Sequence, residues 1–323
     1  MSKISLWLSV GLCLAVTTNS YAQEQLPPAE NSASLTVQSL LNKMSQNASM
    51  INYRGAFTYQ NQSSVALQSF KVEHWIENGQ KHDRLMFLNG PEREILREGQ
   101  SVDCKAMGDK LLQGGFANIG KMLASLDDVY EFEIRSQERV AGRLARVLRV
   151  IPKDPYRYGY FLSIDEETGL VLKAWLIDEN TNPLERYQFV SIDINPDPSQ
   201  LENVKASSHQ QKALADVTPC NPTTNLTKPE AWNVAWVPQG FAFAGQRKLA
   251  NGQDMLMYTD GLTTFSIFLE PAKGSTPEGV GQRGATLAYM SHLMVNNSPY
   301  RISVVGEIPV AAAAKIAQNI AGQ

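Results

Sequence analysis

Residues 140–162 read VAGRLARVLRVIPKDPYRYGYFL, and the conformation of this run decides the fold. Val140, Leu144, Val147, Leu148, Val150 and Ile151 are apolar, with Arg143, Arg146 and Arg149 interleaved, until Pro152, Asp154 and Pro155 stop the pattern. Arg135, Arg139, Arg143, Arg146 and Arg149 are spaced 4, 4, 3 and 3 apart, which would also suit one face of a helix. Flanking residues decide between the two. Gly142 and the β-branched Val and Ile residues disfavour a helix, and Tyr156, Tyr158, Tyr160, Leu162 and Ile164 alternate along one face of the next segment. Two strands joined by a short turn follow, and a sheet is the framework for the rest of the chain.

The 323 residues suit two domains, and 43% hydrophobic residues supply ample core. Residues 1–22 combine Lys3, an apolar run from Ile4 to Val16 and the small-x-small ending Ser20-Tyr21-Ala22, the pattern of a signal peptide cleaved before Gln23. A retained signal anchor is the alternative, though the run is short for a membrane span. Cleavage removes Lys3 and no acidic residue, so 29 basic residues become 28 against 32 acidic ones, a net charge of −4. That balance leaves no footprint for nucleic acid. Cys104 and Cys220 remain in a compartment that permits disulfides, and a bond between them and two free thiols stand as alternatives.

After a polar leader, Ser34 is placed to cap a helix with Val37, Leu40, Leu41 and Met44 on one face. Tyr53, Gly55, Phe57 and Tyr59 alternate, and two strand-like runs flank Asn78-Gly79, a two-residue hairpin turn. Counting outward from that turn pairs Phe70 with Phe87, Val72 with Leu85 and His74 with Asp83 on one face, and Glu73 with Arg84 on the other. Further strand-like segments cover 92–98, 101–107, 129–139, 143–151, 156–165, 170–178 and 184–194, while 111–126 reads as a loop with a short helix. So many sequential antiparallel strands imply a strongly curved sheet or incomplete barrel. Its apolar face either lines a cavity or fills its own core. Residues 34–195 are thus one large domain and 196–230 a Pro-rich linker. Residues 231–323 make a smaller domain, with strands around Asp260-Gly261 and a terminal helix started by Pro309.

Chemical motifs are sparse. Gly279, Gly281 and Gly284 spell GxGxxG, but a loop precedes them and no βαβ unit supports a dinucleotide. His74, His82, His209 and His292 lack metal-ligand spacing, and no nucleophile signature occurs. Neither a catalytic residue, a metal nor a cofactor is assigned.

Asn52-Tyr53-x-Gly55-x-Phe57-x-Tyr59, Asn89-Gly90-Pro91-x-Arg93-Glu94, Arg139-Val140-Ala141-Gly142-Arg143 and Pro152-Lys153-Asp154-x-x-Arg157-Tyr158-Gly159-Tyr160 lie in the first domain. Trp236-x-Pro238-x-Gly240-Phe241, Tyr258-x-Asp260-Gly261 and Gly306-Glu307-x-Pro309 lie in the second. Together they resemble the RseB/MucB family, periplasmic negative regulators of the envelope-stress sigma factor. Thr259 departs from the Ser common in that family. The resemblance implies an α+β protein: a large antiparallel open β-barrel with a helical lid, like the lipoprotein carriers, plus a smaller C-terminal α/β domain. It further implies a non-enzymatic protein that binds the periplasmic region of a membrane-spanning anti-sigma factor, shields it from regulated proteolysis, and releases it on sensing lipid or a lipopolysaccharide fragment.

A periplasmic lipid or lipoprotein carrier is the alternative, since an open apolar barrel serves transport as well; homo-oligomerisation stays open. Phe57, Phe70, Val72, Leu85 and Phe87 are the lipid-cavity candidates, because the turn-set register gathers the last four on one face. Tyr258, Asp260 and Gly261, with Arg283 in the loop Gly279 to Gly284, are the partner-binding candidates: a hairpin turn needing positive φ beside a glycine-rich loop with one guanidinium.

Overall fold

The computed structural model describes residues 36–47, 50–64, 66–77, 79–98, 125–197, 229, 231–272 and 278–322. The expected signal peptide, Ser34, Cys104, Cys220, the strand at 101–107, nearly all of 111–126 and most of the linker lie outside them.

Helix α1 (Val37–Asn47) is capped by Thr36, whose Oγ1 accepts the Ser39 N–H at 3.1 Å while Ser39 Oγ accepts the Thr36 N–H at 3.1 Å. This reciprocal pair satisfies two donors that the helix leaves open, and so the start lies at Thr36. Leu40, Leu41 and Met44 turn inward onto the sheet.

Nine strands follow: β1 (Tyr53–Asn61), β2 (Gln68–Glu77), β3 (Gln80–Phe87), β4 (Glu94–Glu98), β5 (Tyr130–Val140), β6 (Arg143–Pro152), β7 (Gly159–Asp165), β8 (Val171–Ile177) and β9 (Pro183–Ile194). They form one antiparallel sheet in the order β4-β3-β2-β1-β9-β8-β7-β6-β5, in which the β1–β9 pairing joins two hairpin arrays. β4 and β5 are unpaired ends, so the described sheet does not close into a barrel. The β2–β3 register pairs Phe70 with Phe87, Val72 with Leu85, His74 with Asp83 and Glu73 with Arg84, the outcome expected from the two-residue turn. Alternate residues such as Tyr53, Phe57, Leu148, Val150, Leu162 and Ile164 pack into one core beneath α1.

Residues 140–162 hold β6 and the start of β7, but Tyr156 and Tyr158 are not in a strand. Asp154 Oδ1 accepts the Tyr156 N–H at 2.9 Å, and this turn beside Pro155 delays β7 to Gly159.

The remaining chain builds a second, smaller lobe with its own core. Strands β11 (Ala242–Lys248), β12 (Asp254–Thr259), β13 (Thr264–Pro271), β14 (Gly279–Arg283), β15 (Thr286–Val295) and β16 (Ser298–Gly306) form an antiparallel sheet in the order β11-β12-β13-β16-β15-β14. Helix α2 (Val310–Gln318) starts after Pro309 and lies against β15 and β16, and β10 (Trp232–Val234) pairs with β17 (Ile320–Gly322). Two expectations change here. The glycine-rich segment 279–283 is a strand paired with β15, because ladder pairing outweighs the weak strand preference of glycine. The β12–β13 connection is a four-residue turn, 260–263, in which only Gly261 has positive φ (+95°), since the Asp260 side chain organises the rest.

Candidate functional site

The two lobes meet along a seam made by the β6–β7 connection. The Arg157 side chain is wholly buried there, and its Nε donates to Asp260 Oδ2 at 3.1 Å. Its remaining nitrogens pair with Asp154 and with the Gln239 carbonyl, and its plane lies over Tyr130 (5.5 Å) and Phe241 (5.0 Å). Tyr130 donates its hydroxyl to the same Asp260 oxygen at 2.9 Å, while Asp260 Oδ1 accepts the Leu262 and Thr263 N–H groups at 2.9 and 2.7 Å. Burial and the Asp260 charge push the Tyr130 phenol well above its ordinary pKa, so it stays a donor. The Arg157 guanidinium, the Asp260 carboxylate and the Tyr130 hydroxyl are thereby matched in this desolvated cluster, as burying charge requires.

Three further hydrogen bonds hold the seam. The Gly284 N–H donates to Ser63 Oγ and the Ala285 N–H to Glu185 Oε1, both at 3.0 Å. Gly284 has φ +61°, and a Cβ there would lie 2.8 Å from Asn61 Cβ, so glycine alone fits. Lys315 of α2 donates to the Tyr156 hydroxyl at 3.0 Å and lies 4.2 Å from the centre of the Trp236 ring.

Beside the seam a cleft of about 600 Å³ opens between the lobes, lined by Arg149, Asp154, Tyr158 and Asp178 from one side and by Gln282 and Val310 from the other. Burial, with Glu179 and Asp178, pushes the Tyr158 phenol up to about 12, leaving it neutral. The lining offers donors and acceptors of both signs, suited to a polar chain segment. Among the described residues no three His, Cys, Asp or Glu side chains converge as metal ligands.

The five cavity candidates come together. Phe57 and Phe70 stack at 5.0 Å, Phe70 meets Phe87 edge-on at 4.8 Å, and Val72 opposes Leu85. Phe57, Phe70, Val72 and Leu85 are closed to solvent, whereas Phe87 is partly exposed beneath the Arg93 guanidinium. The partner candidates separate. Tyr258 is buried, stacked on Phe265 at 5.3 Å in the small core; Asp260 and Gly261 are buried in the seam; Arg283 is exposed at the end of β14. The turn expected at the surface is thus plugged into the other lobe, and its residues offer no open face. Arg157 was visible only as part of a motif; its partner lies 103 positions away, with no local signal linking them.

Residues 36–213 match the family model described as MucB/RseB N-terminal domain, and residues 226–321 match that described as MucB/RseB C-terminal domain. The chain is similar to the sigma factor AlgU regulatory protein MucB of Pseudomonas aeruginosa, 30% identical over 291 residues, covering 87% of this chain and 89% of that protein. It resembles the solved complex of Pseudomonas aeruginosa MucA/MucB with 27% identity and a TM-score of 0.69, over 88% of this chain and 98% of that one. Against the crystal structure of MucB alone the identity is 26% and the TM-score 0.58, over 88% and 97% of the two chains.

Proposed function

Since this chain belongs to the MucB/RseB family, we propose that it works in the periplasm, where it binds the periplasmic region of a membrane-spanning anti-sigma factor and shields it from regulated proteolysis. Its action is stoichiometric rather than catalytic. Lipid or a lipopolysaccharide fragment, taken up by the large lobe, releases the partner and so lifts restraint on the envelope stress response. In this reading the nine-stranded sheet is the wall of an open barrel and α1 belongs to its helical lid.

The observation that carries the proposal is the closer likeness to MucB in complex with MucA than to MucB alone, 0.69 against 0.58 at nearly equal coverage. We take the bridged seam as the arrangement of lobes that holds the partner. A lipid then acts only through its different affinity for two such arrangements. The closed packing of Phe57, Phe70, Val72 and Leu85 fits a lipid-free large lobe.

The test is titration of the chain with the purified periplasmic region of the same organism's anti-sigma factor, with and without acylated lipid. Saturable one-to-one binding, weakened by lipid, is expected. No binding in lipid-free buffer would overturn the proposal, and lipid uptake without partner binding would favour a carrier.

A further inference from the structure

The small lobe has one sheet edge built unlike the others. β14 ends the six-stranded order, and nothing among the described residues pairs with its outer side. Its hairpin with β15 closes through Gly284 and Ala285, so the flanking pair Arg283 and Thr286 is the hydrogen-bonded one. Alternation then points the N–H and C=O groups of Val280 and Gln282 outward, away from β15.

Open edges are normally blunted by charges, bulges or shortness. β5 carries a bulge between Ile134 and Gln137 and the charges of Glu131, Glu133 and Arg135; β11, at the far side of the small sheet, is bulged between Phe243 and Gly245 and ends in Arg247 and Lys248. β4 is five residues long. β14, as short as β4, carries neither a charge nor a bulge over 279–282; all of its residues are exposed, and Gly279 and Gly281 leave open space where a Cβ would stand. Val280 and Gln282 oppose Tyr289 and Leu287, so their side chains share the face that packs on the small core. Val280 is nonetheless 49% exposed, and Gln282 lines the cleft between the lobes.

We propose that β14 is a docking edge at which an extended segment of the anti-sigma factor adds as a further strand, running from Val280 towards the inter-lobe cleft. The inference rests on the binding reading above and assigns it a mode. Main-chain hydrogen bonds to Val280 and Gln282 hold the segment, and an apolar side chain on the core-side face covers Val280. The opposite face, over Gly279 and Gly281, takes polar residues open to water. Continuity with the cleft favours this occupant over a second copy of the chain.

Residue-resolved hydrogen exchange on the full chain tests it, using the purified periplasmic region of the organism's anti-sigma factor. Binding should slow exchange at the Val280 and Gln282 amides by about tenfold or more, while Gly281, already bonded to β15, changes little. Val280→Pro removes an outward donor and should weaken binding about tenfold with melting shifted by less than about 2 °C, while Val280→Ala, which keeps the donor and loses only side-chain cover, should weaken it clearly less. Binding with both amides exchanging as before would overturn this inference alone. Absence of any binding would overturn the function and the docking edge together. Protection of the same amides on concentrating the chain without partner would overturn it in favour of pairing between copies.

Discussion

Arg157 Nε and Asp260 Oδ2, from opposite lobes, lie 3.1 Å apart with both side chains wholly closed to solvent. Removing one member takes a counter-charge from the other, the costly case for a buried pair, although Arg157 keeps Asp154 and the Gln239 carbonyl. Asp260→Ala should cost about 3 kcal/mol or more in urea unfolding. Calorimetry should then resolve two transitions, one per lobe, where the wild type should give one. A single transition with unchanged stability would show that the seam does not couple the lobes.

The aromatic cluster predicts a graded response. Phe70, closed and stacked on Phe57, should cost about 3–5 kcal/mol as Phe70→Ala. Phe87→Ala should cost clearly less, because that ring is already partly wet, and it should change lipid affinity if the large lobe takes up lipid there. Equal losses in stability and unaltered lipid binding would assign Phe87 to the core.

Arg283 and Tyr258 should behave oppositely. Tyr258→Ala removes a ring stacked inside the small core and should destabilise by about 3–5 kcal/mol. Arg283→Ala should leave melting within about 0.5 kcal/mol of wild type and slow association with an acidic partner segment at low salt. Unchanged association at low salt would place the partner's charged segment elsewhere.

Asp165 sets a pH dependence. Burial acts to raise its pKa, but two-pronged hydrogen bonds from Arg143 at 2.8 and 2.9 Å and two more from Thr168 outweigh it and hold the carboxyl below its usual value. Its contribution is therefore complete at neutral pH and is lost as pH falls from about 4 through the lower folded value. Asp165→Asn should cost about 1–3 kcal/mol at pH 7 and progressively less below pH 4, read from unfolding at several pH values. A constant difference down to pH 2 would exclude this ion pair as the cause.

Local rules carried far along the chain. The Phe70–Phe87 and Val72–Leu85 pairings follow from a two-residue turn and a period of two. Proline at 309 marked the start of the last helix because its missing N–H is harmless there. What failed depended on distant partners. Asp260-Gly261 has the composition of a surface turn, and only the arrival of Arg157 and Tyr130 from the other lobe makes it a buried one. β14 looked like a loop by composition, since its strand character comes from β15 rather than from its own glycines.

The stacking of Lys315 on Trp236 and Tyr156 has an optical consequence. Tyr156 meets Trp236 edge-on at 5.0 Å, with the ammonium 4.2 Å from the indole centre. Tyr156 comes from the large lobe and the other two from the small, so any hinge opening strips the Tyr156 ring from the indole and exposes that side of it to water. The emission colour and quantum yield of Trp236 are thus an intrinsic gauge of lobe separation, readable in real time and without a label as partner and lipid exchange.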